Sequence, residues 1–106
     1  MLDEIEGELL KHIQIIGPFE VEEKKTSSHL TNGGPAFLGL KKARKWLDVT
    51  LVSTHELEHP LIKKSEQLSK NRWHTDMRIT SREEINASLI ALIKEAYDLA
   101  KSKIKA

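Results

Sequence analysis

The sequence contains no cysteine. That excludes a disulfide framework, a thiolate nucleophile and every zinc site built on sulfur, and it suits a reducing compartment. Also missing is any apolar run near the ~20 residues that a membrane-spanning helix requires. The N-terminus Met1-Leu2-Asp3-Glu4 is acidic, without the basic start and apolar core of a secretory signal. The expectation is a cytoplasmic protein with no membrane partner. No Gly-x-Ser-x-Gly elbow accompanies the scattered Ser27, Ser28 and Ser53, and Gly33-Gly34 lacks the Lys-Ser/Thr continuation of a phosphate loop. No internal repeat or low-complexity segment occurs.

What is present is the composition of a folded domain. The chain has 106 residues, 39% hydrophobic and 31% charged, which fits a single domain over residues 1–106. A chain of this size buries roughly two thirds of its unfolded surface, enough for one core without metal or disulfide staples. The formal net charge of +1 hides an uneven distribution: residues 1–23 hold seven acids and the single base Lys11, while residues 24–106 hold sixteen bases and nine acids. An acidic helix against a basic partner surface accounts for this, and a basic surface that favours anions would account for it too.

Leu2, Ile5, Leu9, Ile13 and Ile16 recur at helical spacing, and Gly17-Pro18 then stops the pattern. The spacing predicts an amphipathic helix over 2–16. Beyond Phe19 the period falls towards two, giving strands near 19–24 and 28–30. Asn32-Gly33-Gly34-Pro35 reads as a tight turn, Ala36–Leu40 as a short apolar strand, and Lys41–Lys45 as a basic turn. In Trp46–Val52, Leu47, Val49 and Leu51 oppose Trp46, Asp48 and Thr50 across a strand. Residues 53–71 are polar and aperiodic, and read as a long irregular loop, the candidate functional loop. Trp73–Ile79 alternates again, with His74, Asp76 and Arg78 on one side. Ser81 and Glu84 make a capping-box pattern that should start the last helix, whose apolar stripe runs through Ile85, Leu89, Leu92, Ile93, Ala96, Leu99 and Ala100. So wide a stripe needs two neighbours, the sheet and either the first helix or a dimer partner.

The fold class expected is α+β: an N-terminal helix, an antiparallel sheet of four or five strands and a C-terminal helix, with both helices packed on one sheet face. The other face should stay open to solvent, as antiparallel sheets allow. Its expected occupants include Trp46, Asp48, Thr50, His74, Asp76 and Arg78.

Arg78-Ile79-Thr80-Ser81 leading into Leu89-Ile90-Ala91-Leu92-Ile93-Lys94-Glu95-Ala96-Tyr97 resembles the DUF5655 family, a bacterial domain of unknown function. Phe37 with Trp46-Leu47-Asp48-Val49, and His59-Pro60, add to the likeness, which spans about Leu2 to Ala100. Ser69-Lys70-Asn71-Arg72 departs from the family's Gly-rich approach to the last strand. The resemblance implies an architecture and assigns no catalytic residue.

Three functional classes compete. His55-Glu56-Leu57-Glu58-His59 matches H-E-x-x-H, in which two histidines one helical turn apart bind zinc and the glutamate activates water. Pro60 biases His59 away from helical geometry, and only Glu66 or His74 offers a third ligand, so a metal-assisted hydrolase ranks last. Arg44-Lys45-Trp46 and Arg72-Trp73-His74 set cations beside aromatics, as single-stranded nucleic acid or a nucleotide would need. Lys42, Arg44, Trp46 and Arg72 are the candidates there, but the near-neutral net charge argues against it. The remaining histidines, His12 and His29, read as surface or satisfied core residues. The leading expectation is a non-catalytic binding or interaction module without a cofactor, a monomer or homodimer. It would take an unknown protein or small-molecule ligand on Trp46, Asp48, Arg72, His74 and Arg78.

Overall fold

A computed structural model describes residues 2–25, 27–32 and 36–104 of the chain. Helix α1 covers Leu2–Ile16, as its spacing predicts. It buries Ile5, Leu9 and Ile13 on one side. Gly17 N still donates to Ile13 O at 3.2 Å, and Pro18, which has no N–H to give, ends the run.

Six strands follow: β1 (Glu20–Glu23), β2 (Ser28–Thr31), β3 (Ala36–Lys42), β4 (Leu47–Ser53), β5 (Ile62–Ser69) and β6 (Arg72–Ile79). They form one antiparallel sheet in the order β1-β2-β3-β4-β6-β5. The chain therefore leaves β4, passes to the far edge and turns back to insert β6 beside β4. The glycines and proline of the expected 32–35 turn, Gly33–Pro35, lie outside the described residues.

The sheet corrects the sequence expectation of four or five strands. The missed element is β5, which lies inside the stretch read as an irregular loop over 53–71. It is an edge strand, exposed along most of its length, and its pairing with β6 shifts register at Ile62/Lys64 and again at Gln67/Ser69. Each shift breaks the alternation of side chains, and an edge strand that buries little beyond Ile62 needs no apolar period. What stays irregular is 54–61, anchored by the buried Leu57.

In β4, Leu47, Val49, Leu51 and Ser53 are buried, while Asp48, Thr50 and Val52 between them are half-buried. β6 repeats this with Thr75, Met77 and Ile79 inward. β3 breaks the rule, because Phe37 and Leu38 are both buried. Leu30 pairs with Leu38 but Thr31 with Ala36, so Phe37 is an extra residue, a bulge that turns two neighbouring side chains to one face.

The last helix, α2, spans Ala87–Ile104, which moves its expected start. Ser81 and Glu84 do interact, with Glu84 Oε1 accepting from Ser81 N at 3.3 Å and from Thr80 N at 2.6 Å. That motif closes a separate single turn of 3-10 helix, Arg82–Glu84. Ile85 then leaves helical geometry (φ −84°, ψ 86°), and Asn86 caps α2 through its Oδ1, which accepts from Leu89 N at 3.1 Å.

Leu89, Ile93, Ala96 and Tyr97 of α2 share one apolar cluster with Ile5, Leu9 and Ile13 of α1 and with the buried side of β4 and β6. The two neighbours that the wide stripe requires are thus the sheet and α1, which α2 also touches. Tyr97 makes the joint between layers. Its ring meets Phe37 edge-on, with centroids 5.1 Å apart and planes at 77°, and its hydroxyl donates to Pro18 O at 2.7 Å.

Candidate functional site

Asp48, Thr50 and Val52 of β4 and His74, Asp76 and Arg78 of β6 share the sheet face that points away from this cluster. Directly opposed residues of antiparallel strands project to the same side, so the register places side chains there row by row. One row runs His29, Gly39, Thr50 and Asp76 across β2, β3, β4 and β6. The next, towards one end of the strands, holds Lys41, Asp48 and Arg78. At the other end His74 opposes Val52, and Arg72 lies past the last β4–β6 pair.

Gly39 has no side chain in the middle of this face, and a depression of about 420 Å³ opens there. Gly39, Thr50 and Val52 lie along it, with His29, Lys41, Asp48, Arg72 and His74 around them. The His29 ring leans over the glycine: a Cβ built at Gly39 would lie 3.4 Å from His29 Cδ2 and 3.7 Å from Thr50 Cβ. Thr50 Oγ1 donates to Asp76 Oδ1 at 2.7 Å, which ties the two side chains to each other across β4 and β6. His74 Nε2 is buried without a hydrogen-bond partner among the described residues.

The sequence-derived site residues fall into two groups. Trp46, Asp48 and Arg78 come together. The Trp46 indole N–H donates to Asp48 Oδ2 at 3.3 Å, the Arg78 guanidinium lies 4.0 Å over the indole ring, and Arg78 Nε is 3.7 Å from Asp48 Oδ1, an ion-pair distance too long for a hydrogen bond. Arg72 and His74 sit apart from them, across the depression. Gly39 does not stand out in sequence and His29 reads there as a surface or satisfied core residue, because what sets them facing each other is the pairing of two strands.

The two basic-aromatic clusters do not converge. Trp73 opposes the buried Ser53, which sets it on the helix side of the sheet, whereas Trp46 lies under Arg78 near the other face. Lys42, a nucleic-acid candidate, pairs with Glu6 of α1 at 3.1 Å. A second depression of about 500 Å³ lies between α1 and the β1–β2 edge, and that ion pair stands on its rim.

The H-E-x-x-H residues do not form a helix, since 54–60 is irregular, so His55 and His59 are not stacked one turn apart. His55 is exposed and faces α2, with Nε2 2.5 Å from Glu95 Oε2 and Nδ1 3.1 Å from Glu56 O. Both ring nitrogens thus meet acceptors, which favours the protonated ring. The Glu95 hydrogen bond above all holds its pKa above the ordinary 6.5. His59 is half-buried, and its Nδ1 accepts from Leu61 N at 3.1 Å; burial holds its pKa below 6.5. Among the described residues no three His, Asp or Glu side chains converge to hold a metal ion, and no helix is long and apolar enough to cross a membrane.

A family model described as Domain of unknown function (DUF5655) matches residues 2–100. No curated protein and no solved structure matches the chain.

Proposed function

The chain belongs to the DUF5655 family, and we propose that it is a non-catalytic binding module whose small-molecule ligand docks in the depression over Gly39. The observation that carries this reading is the unfilled volume of about 420 Å³ at the centre of the sheet face, where a glycine stands in a β-strand. Ligand sites are concave and span about 300–1,000 Å³, with a few polar groups directed inward. Glycine in a strand interior costs stability, and one reason to keep it is the close approach of another group. Both helices spend their apolar stripes in one cluster with the buried side of β4, which leaves the opposite face free for a partner. The side chains around the depression offer hydrogen bonds: Thr50, on its floor, is bonded to Asp76, and Ser27, His29 and His74 stand around it.

A fragment screen followed by 1H–15N NMR tests this. Bound fragments should shift the amides of Gly39, Thr50, Val52 and His74 most. Gly39→Val should keep the folded spectrum, since the first added carbon meets only ordinary contacts, and should weaken those fragments by about tenfold or more by filling the floor. Fragments that gather elsewhere, or that bind the valine variant unchanged, would falsify the assignment.

A further inference from the structure

We infer that the ligand is a small organic anion, and that its carboxylate or phosphate lies at the Arg72–His74 end of the depression. This rests on the reading of the depression as the docking site and adds the chemistry of what docks there.

The charges around the depression are not balanced. The one acid of its lining, Asp48, is already engaged by the Trp46 indole N–H and lies at ion-pair distance from Arg78, and Asp76, beside the depression on the same face, accepts from the Thr50 hydroxyl. Lys41 and Arg72, the two permanent cations on its wall, make no ion pair with any described residue. They stand at opposite ends. Lys41 opposes Asp48 in the β3–β4 register, while Arg72 begins β6, six residues from Arg78, or roughly 20 Å along an extended strand.

The two ends differ in what an anion would meet. At the Lys41 end the Asp48 carboxylate faces the same space and repels a second negative group. At the Arg72 end no carboxylate lines the depression; Glu66, which opposes His74 from β5, is exposed and lies outside the lining. That end also holds His74 Nε2, buried and without a partner. A buried polar atom left unpaired is costly, and because Nε2 is closed to solvent an anion in the depression pairs with it only once the ring turns outward with a proton on that nitrogen. Arg72 adds a planar fork of donors that matches a carboxylate or phosphate with two parallel bonds. Thr50, Gly39 and Val52 leave room for the uncharged body of the ligand between the two ends.

The probes are two matched pairs, AMP with adenosine and benzoate with benzamide, titrated into 15N-labelled protein. At least one anion should bind about tenfold or more tightly than its neutral partner, the gap expected when one charge-assisted contact is made or lost. Its largest shifts should fall at Arg72 and His74, and which pair responds separates phosphate from carboxylate. Arg72→Gln, at an exposed position, should bring the anion down to the affinity of its neutral partner and should cost more than Lys41→Gln. Equal binding of charged and neutral partners over Gly39, or a larger loss at Lys41, overturns the anion assignment and leaves the docking site standing. If none of the four probes moves these amides, the anion assignment fails. If fragments fail there as well, the docking site falls with it.

Discussion

Replacing Gly17 by alanine drives a methyl group into Tyr97. A Cβ at this position would collide with the Tyr97 hydroxyl and lie 2.9 Å from ring carbon Cζ, closer than real Cβ atoms come. Tyr97 cannot simply swing aside. It is buried, its ring is set against Phe37 and its hydroxyl is bonded to Pro18 O at 2.7 Å. Overpacking of this kind costs about 1–3 kcal/mol, and the entropic benefit of alanine in the unfolded chain, about 0.4–1 kcal/mol, works the other way. The expected net loss is about 1–2 kcal/mol, a fall in Tm of roughly 5–10 °C for a domain this small. Tyr97→Phe alone removes one hydrogen bond, a loss of about 1 kcal/mol. With the hydroxyl gone, the alanine methyl meets less resistance, so the double variant should lose less than the two single variants together, by about 0.5 kcal/mol or more. Urea unfolding followed by circular dichroism gives all four stabilities. If the losses add to within about 0.3 kcal/mol, Gly17 and Tyr97 are not in contact and the account of this joint is wrong.

Two further predictions concern titration and capping. In an NMR titration of the histidine rings, His55 should have its midpoint above 6.5 and His59 below it. The His55 contribution to stability is complete below 6.5 and is lost as pH rises through its higher folded value, whereas that of His59 is present above 6.5 and is lost as pH falls through its lower one. Glu95→Gln should lower the His55 midpoint and leave His59 where it was; a His55 midpoint indifferent to that change means the pair with α2 is not formed. Asn86→Ala should cost about 1 kcal/mol through loss of the α2 cap, while Ser81→Ala, whose part in the turn is played by its backbone N, should cost less. The reverse order in urea melts would restore the helix start to Ser81.

The parts of the fold that sequence reveals are those where one side chain pattern serves one environment. Leu2–Ile16 keeps helical spacing because a single stripe meets the core, and β4 and β6 alternate because each has one dry side. β5 is illegible because it is exposed along most of its length and its register slips twice. α2 starts later than the capping pattern predicts, because that motif is real but closes a different turn. His55-Glu56-Leu57-Glu58-His59 has the letters of a zinc motif without its helix. Asp48, Arg72, His74 and Arg78 could be read from alternation and charge alone, yet the depression between them depends on Gly39 facing His29, and that pairing is set by the order of strands in the sheet.

The bulge in β3 fastens distant parts of the chain to one another. Because the extra residue swings Phe37 to the helix side, its ring reaches Tyr97, and Tyr97 in turn grips the carbonyl of Pro18 just behind α1. Residues 18, 37 and 97 are joined there as by a rivet. Neither α1 nor α2 can peel away far without drawing it, and once it is drawn the middle of the sheet loses its seal as well. Such a joint favours loss of structure in a single step over fraying from either tip.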